Sequence, residues 1–443
     1  MHNNFNIRIL AVCTSDTSGG AARAAYRIHQ GVRTLGVDSQ MFVKHKGSHD
    51  ASVHALSDFV PNNPFYNALD WCTAKAKNKI QHYYWNHYPK RDQSFKSDLR
   101  GMNLHGALQK FDYDVLHLHW INQRFVDIRD LANVRKPIVW TLHDSWPFCG
   151  VCHYFLDCDG YQRQCGNCPQ LGSNNPHDLS YRIWRQKAEI FRNLNLHIVS
   201  PSNWLAENAR KSSLFCDFPI HVIPNCLDTD IFCPLTQQEI SAIAEHQQNV
   251  VISRILREAT EKRLEKPLIL YGAVNAAADR IKGFSSLLSA LQILDKQGFD
   301  AHLIVFGANP QELPMQFNNI DVTFVGYINN TQTLTALYSV ADVMVVPSLT
   351  ENLSCAIMES LSSGTPVVAF NIGGNSDMIT HQMNGYLARE LNCEDMAKGI
   401  LWCIEHKNDE TLYDDARNKV LNNFSIGIVA EQYKSLYRSL CKC

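Results

Sequence analysis

The stretch Val345–Phe370, VVPSLTENLSCAIMESLSSGTPVVAF, constrains the fold more tightly than any other. Apolar strands at Val343–Val346 and Pro366–Phe370 flank a helix expected from about Ser354 to Leu361. Gly364 supplies the left-handed residue that closes such a helix. Strand, helix and strand in so few residues make the right-handed crossover of a parallel sheet. Glu351 falls in the loop before the helix and Glu359 inside it, with seven residues between them. The loop sets one carboxylate and the amides of Leu353, Ser354 and Cys355 at a helix N-terminus, a place suited to phosphate. A carboxylate there also accepts hydrogen bonds from sugar hydroxyls. Taken alone, two such glutamates read more simply as a solvated loop residue and a residue on a helix's polar face.

The alternation recurs along the chain. Ile7–Val12 reads as a buried strand, Thr14–Gly20 as a polar loop, and Ala21, Ala24, Ala25, Ile28 and Val32 as one face of a helix ending at Gly36. With a strand at Gln40–Val43 this is half of a doubly wound domain. Gly19 and Gly20 let backbone approach a phosphate at the helix start or simply form a turn; the dinucleotide pattern G-x-G-x-x-G is absent. Asp114–Trp120 is a strand that sends His117 and His119 to one face. Ile138–Leu142 is another and runs into His143 and Asp144. Polar residues at the C-terminal ends of parallel strands face the crevice where ligands bind. After an expected junction near residue 235, residues 237–265 read as a charged helical insertion with a solvated face. Pro267–Gly272 restarts the alternation, followed by a loop to Lys282, a helix over Phe284–Gln297 and strands at His302–Phe306 and Val322–Val325. Helices are expected at Thr333–Ser339, Cys393–Glu405 and Ile426–Leu440.

A chain of 443 residues has room for two or three domains. Its formal net charge of −2 argues against a nucleic-acid partner. The start lacks the basic segment and apolar core of a signal peptide, and no run of about 18 apolar residues offers a membrane span. Fifteen cysteines without a secretion signal imply the reducing cytoplasm, where cysteine means packing, metal or catalysis. Residues 71–91 interleave Lys75, Lys77, Lys79, Lys90 and Arg91 with Trp71, Tyr83, Tyr84, Trp85 and Tyr88. That mixture suits weak contact with a membrane surface, or a surface element whose aromatics pack inward.

One loop concentrates the thiols: Cys149-Gly150-Val151-Cys152, then Cys158, then Cys165-Gly166-Asn167-Cys168. Paired C-x-x-C segments have zinc-knuckle spacing, and a structural zinc would staple a loop too polar to pack alone. The other reading is reduced cysteines packed among Trp146, Phe148, Tyr154 and Phe155.

The string P-S-x-x-E, seven residues, E, then G-T-P-V-V-A resembles the signature of the retaining nucleotide-sugar glycosyltransferases of family 4, the group 1 enzymes of GT-B fold. The resemblance runs from Gly19 to Gly385. It implies two doubly wound α/β Rossmann-like domains facing across a cleft: an acceptor-side domain at 1–235, a nucleotide-sugar-binding domain at 236–424, and a final helix, 425–443, crossing back. It implies that Glu351 contacts the donor sugar and Glu359 the nucleotide ribose. Lys282, in Lys282-Gly283-Phe284, would pair with the donor diphosphate. Gly19 and Gly20 would lie near the donor phosphates and His143 close to the reacting sugar, with His119 and Asp144 on the acceptor side. Many members have Pro-Phe-Gly where this chain has Asn352-Leu353-Ser354. An Arg common after the strand glycine is replaced by Ala273-Val274-Asn275, which leaves Arg280 as the candidate substitute. I-P-N-G is here Ile223-Pro224-Asn225-Cys226, and Gly373-Gly374, with Asp377 nearby, resembles the glycine loop near the nucleotide sugar.

A subset of the family shares H-D-x-W-P-F…C-H-Y…C…C-G-x-C-P-Q-L, and its commonest four cysteines are equivalent to Cys152, Cys158, Cys165 and Cys168. The resemblance implies transfer from a nucleotide-sugar donor to a glycan or lipid-linked acceptor with retention, in bacterial surface-polysaccharide or lipopolysaccharide assembly. No catalytic cofactor is implied, because Lys282, helix amides and Arg280 can stabilise a leaving diphosphate. A cytoplasmic protein, peripheral at the inner membrane face, is the corresponding location. A catalytically silent nucleotide-sugar binder and a GT-B sugar-nucleotide epimerase remain the alternatives.

Overall fold

The computed structural model describes residues 7–59, 88–90, 101, 104–261, 265–273, 275, 279–309 and 316–441. Most of the basic, aromatic stretch 71–91 therefore lies outside the described residues. The chain divides into one unit of residues 1–223 with 430–443 and a second of residues 224–429.

The first unit holds a seven-stranded parallel sheet in the order β3-β2-β1-β4-β5-β6-β7. The strands are β1 (Arg8–Ser15), β2 (Asp38–His45), β3 (Val53–Ala55), β4 (Val115–Leu118), β5 (Ile138–Thr141), β6 (Leu196–Ser200) and β7 (Ile220–Val222). The reversal of order between β1 and β4 marks a doubly wound sheet. The helix expected after the glycine loop spans Gly20–Thr34, with Gly19 at φ +92° as its N-cap and no side chain capping it. Period-two alternation sends Leu10, Val12, Leu116, Leu118, Ile138 and Trp140 into one core. Ala11, Cys13, Met41 and Val43 pack on the other face with Ala22 and Ala25.

The second unit holds a six-stranded parallel sheet in the order β10-β9-β8-β11-β12-β13. Its strands are β8 (Leu268–Gly272), β9 (Ala301–Phe306), β10 (Ile320–Gly326), β11 (Val343–Val346), β12 (Val367–Phe370) and β13 (Gly385–Ala388). Every residue of β8, β11 and β12 is buried, as expected where helices cover both faces of a parallel sheet. Leu268, Leu270, Met344, Val346, Val367 and Ala369 face one core. Ile269, Tyr271, Val343, Val345, Val368 and Phe370 face the other. The crossover helix runs Cys355–Ser362 and stops before Gly364 at φ +87°.

Two readings change. Residues 237–265 are not a solvated insertion. They form helices Gln237–His246, opened by a Thr236–Glu239 capping box, and Val250–Thr260. Their inward stripes, Ile240 and Ala244 and then Ile252, Ile255 and Leu256, join a second-unit core. Residues 224–235, read with the first domain, group with the second. Leu227 bridges to Ser425, its amide donates to the Phe424 carbonyl, and Phe232 is buried in the same core. The last helix, Ile426–Leu440, carries the chain back into the first unit from Ala430 onward. Among the described residues no helix is long and apolar enough to cross a membrane.

Candidate functional site

In the second unit, three loops at the C-terminal ends of strands converge on the start of helix Cys355–Ser362. The loop after β8 ends in a single turn, Arg280–Lys282, capped by Asp279, whose carboxylate accepts from the Ile281 amide. The loop after β11 carries Glu351, and the loop after β12 carries Gly373 and Gly374. Backbone bonds lock the loops together. The Leu349 amide donates to the Ile281 carbonyl at 2.8 Å, and the Gly374 amide to the Glu351 carbonyl at 3.3 Å. Two of the glycines are required sterically. A Cβ on Gly283 (φ +71°) would stand 1.8 Å from the Pro347 carbonyl oxygen. One on Gly373 (φ +54°) would stand 1.8 Å from that of Glu351.

This packing brings the expected catalytic pair into contact. Lys282 Nζ donates to Glu351 Oε2 at 3.2 Å, with side-chain exposures of 27% and 14%. Partial exposure leaves both groups within reach of a ligand. Glu351 Oε1 accepts from the Asn352 amide. Leu353 and Ser354 are buried and Cys355 half-buried, and the N-cap residue Ser354 makes no side-chain cap hydrogen bond at a helix start, where an anion is favoured. Glu359, one helical turn further in, is buried at 5% exposure. Arg280 is exposed, two residues before Lys282.

In the first unit, β4 and β5 end in a histidine–carboxylate cluster. His119 Nδ1 and His143 Nε2 lie 3.1 Å apart, and the rings of His117 and His119 are 4.0 Å apart between centroids. His117 is tied down on both sides, by Thr141 at 2.8 Å and by the Tyr437 hydroxyl of the last helix at 2.7 Å. Burial pushes His143 down to about 4 and His117 to about 3, and holds His119 well below its ordinary value. These imidazoles are neutral near pH 7, so they offer hydrogen bonds to hydroxyls rather than a positive charge. Asp144 accepts from Trp120 Nε1 and the Trp146 amide, both at 2.9 Å, and pairs with His153 Nδ1 at 2.5 Å. Burial opposes its charge, but His153 and these donors hold its carboxyl below the usual range. His119 Nε2 and His153 Nε2 are buried without a hydrogen-bond partner among the described residues. The glycine loop is open at Gly19, where a Cβ would meet nothing within 4 Å. Its backbone is anchored through Asp16, which accepts from the Gly47 and Ser48 amides.

Sequence reasoning missed His153 and Trp120. His153 sits within the C-H-Y string quoted above, but nothing in its spacing from Asp144 announces a hydrogen bond. Cys152, Cys158, Cys165 and Cys168 line one small cavity together with Cys149. Among the described residues no group of three or more His, Cys, Asp or Glu side chains is placed so that it could hold a metal ion.

Residues 18–231 match the family described as Glycosyltransferase Family 4, and residues 266–406 match Glycosyl transferases group 1. An uncharacterized glycosyltransferase of Haemophilus influenzae is 28% identical over 159 residues, 35% of this chain and 45% of that protein. The putative colanic acid biosynthesis glycosyl transferase WcaC of Escherichia coli is 25% identical over 272 residues, 58% of each chain. The chain thus spans about half the length of these curated relatives. Among solved structures, Anabaena HepE in complex with UDP and glucose is 16% identical. It superposes with a TM-score of 0.61 over 98% of this chain and 100% of that one, a likeness of fold. Both halves of the chain are thus similar to glycosyltransferase domains, residues 18–231 to family 4 and residues 266–406 to group 1.

Proposed function

We propose that the protein transfers a sugar from a nucleotide-sugar donor to an acceptor hydroxyl with retention at the anomeric carbon, in the assembly of a surface polysaccharide. The observation that carries this reading is the Lys282–Glu351 contact beside a helix N-terminus, held in place by Gly283 and Gly373. In this reading Lys282, Arg280 and the amides of Leu353, Ser354 and Cys355 receive the donor diphosphate. Glu351 accepts from the donor sugar and Glu359 from the ribose. His143 hydrogen-bonds the reacting sugar as a neutral imidazole, with His119 and Asp144 on the acceptor side. The bond from the anomeric carbon to phosphate oxygen breaks as the bond to the acceptor oxygen forms on the same face. The leaving phosphate takes the acceptor proton. Lys282 stabilises the charge that develops on the diphosphate, so no carboxylate nucleophile is needed.

HepE, whose structure holds UDP and glucose, supports a nucleotide-sugar donor, and WcaC supports a polysaccharide product. A glycan or lipid-linked acceptor would bring the protein to the inner membrane surface through residues 71–91. The test is product analysis by mass spectrometry with a nucleotide-sugar panel, with and without lipid-linked acceptors. Release of nucleoside diphosphate coupled to a new α- or β-linkage matching the donor anomer supports transfer with retention. An inverted linkage contradicts retention. Tight donor binding without product across the acceptors favours the silent binder, and conversion of donor alone favours an epimerase.

A further inference from the structure

The five thiols of the loop between β5 and helix Leu179–Phe191 have no role in the transfer proposed above. Cys149, Cys152, Cys158, Cys165 and Cys168 surround one cavity of about 20 Å³, with Val151, Phe155 and Tyr161 among its other walls. That is room for a single small sphere. Four of the five cysteines are buried, Cys158 is half-buried, and all are free thiols. Besides sulfur and carbon, the side chains of Gln170 and Ser180 complete the lining, and Gln170 Oε1 is buried without a hydrogen-bond partner among the described residues. Sulfur walls around an ion-sized void suit a soft cation.

Two further contacts point the same way. Lys187 is completely buried, and its Nζ donates to the carbonyls of Trp146, Cys149 and Gly150. Three acceptors engage all three hydrogens of an ammonium. Among the described residues this lysine forms no ion pair, and an ammonium held by these three carbonyls would be a charge buried beside the thiol loop. Such a charge is costly to bury unless an anion is near. Four thiolates around a divalent cation carry a net charge of about −2 and supply that anion. The Gly150 amide, meanwhile, donates to Cys165 Sγ at 3.2 Å, joining the two C-x-x-C segments across the loop. Both segments are pressed against backbone: a Cβ on Gly150 would stand 2.5 Å from the Ser180 carbonyl oxygen, and one on Gly166 2.3 Å from that of Pro176. The Cys168 amide is held by Asp178, the N-cap of the following helix.

We propose that this cavity binds one zinc ion on four of the five thiolates, with Cys152, Cys165 and Cys168 among them, and that Lys187 is its buried counter-charge. The sulfurs do not yet stand at ligating distance, so binding draws them inward as each ligand thiol releases its proton to solvent. Four sulfurs complete the tetrahedron and leave no position for water, which makes the ion structural. The inference is independent of the transfer reaction.

The test is elemental analysis and native mass spectrometry of the full chain purified without chelator, followed by thermal unfolding before and after chelation. The expected result is about one zinc per chain, a lowered Tm on chelation and recovery of Tm on adding zinc. Cys152→Ser and Cys165→Ser should lose the ion, whereas Cys216→Ser, an exposed thiol outside the cavity, should keep it. Because the serine variants risk misfolding, cobalt exchange into the wild-type protein gives a second readout, an absorption spectrum with thiolate-to-metal charge-transfer bands. Metal-free protein whose Tm ignores both chelator and zinc overturns the proposal. So does a disulfide among the five cysteines in freshly purified protein, or weakly held zinc whose removal leaves Tm unchanged.

Discussion

Lys282 and Glu351 hold each other at 3.2 Å, so replacing either breaks this contact as well as removing a proposed ligand contact. Lys282→Ala should lower kcat by about 10²–10³, the usual cost of losing one donor aimed at developing negative charge. Glu351→Ala should abolish transfer at saturating donor and acceptor. Glu359→Gln, which preserves size at a buried position, should raise the donor KM with a smaller effect on kcat. Steady-state kinetics of the three variants separate these roles, and near-native turnover by Glu351→Ala would remove that residue from the mechanism. The placement of Glu351 and Lys282 in loops and of Glu359 within the helix was legible in the sequence, because each sits at a fixed offset from a strand end or helix start. Asp144's partner was not. His153 lies in an irregular loop, where neither period two nor period 3.6 assigns a direction to a side chain.

At the scale of elements, the site depends on loops that can approach only where Cβ is missing. Gly283→Ala and Gly373→Ala each combine a left-handed backbone with a Cβ 1.8 Å from a carbonyl oxygen. Each should destabilise the protein by about 2 kcal/mol or more, from the left-handed penalty plus the forced shift of the facing loop. Urea midpoints at unchanged slope measure this. Gly19→Ala pays only the backbone term, because nothing lies within 4 Å of its Cβ, and should cost about 1–2 kcal/mol. The crossover helix and its strands were readable because fully apolar strands flank a glycine-terminated helix. The pair Gln237–His246 and Val250–Thr260 was misread because its charged residues, Glu239, Glu245, Arg254, Arg257 and Glu258, are as many as the residues of its narrow inward stripe. Helix Glu410–Asn423 went unread for a related reason: only Leu412, Ala416 and Val420 of it are buried. The short strand β3 offered three residues, too few for a period to show.

The whole molecule should lose stability in acid in two stages. Burial pushes His29 down to about 4, His117 to about 3 and His143 to about 4, from an ordinary value of 6.5. Below 6.5 the unfolded chain takes up protons that the native imidazoles refuse, so stability falls from there down to the native values. Asp50, Asp114 and Asp144, held below their ordinary range, extend the loss further down, since each must be protonated in the native state. Chemical denaturation at a series of pH values reads this directly, and a flat profile from pH 7 to 4.5 would contradict the neutral, buried histidines. Two doubly wound sheets were legible because strand and helix patterns alternate throughout. The junction was less so: residues 224–235 follow a first-domain strand in sequence, but long-range contacts with residues 424 and 425 tie them to the second unit. The central claim is that the second unit binds a nucleotide sugar through Lys282, Glu351 and the helix N-terminus. Its most direct test is thermal unfolding of wild type and Lys282→Ala against a panel of nucleotide sugars. The account predicts that one donor stabilises the wild type, by about 2.7 kcal/mol at a hundredfold excess over Kd, and the variant much less at the same concentration. No shift with any donor, or equal shifts in both proteins, would contradict it.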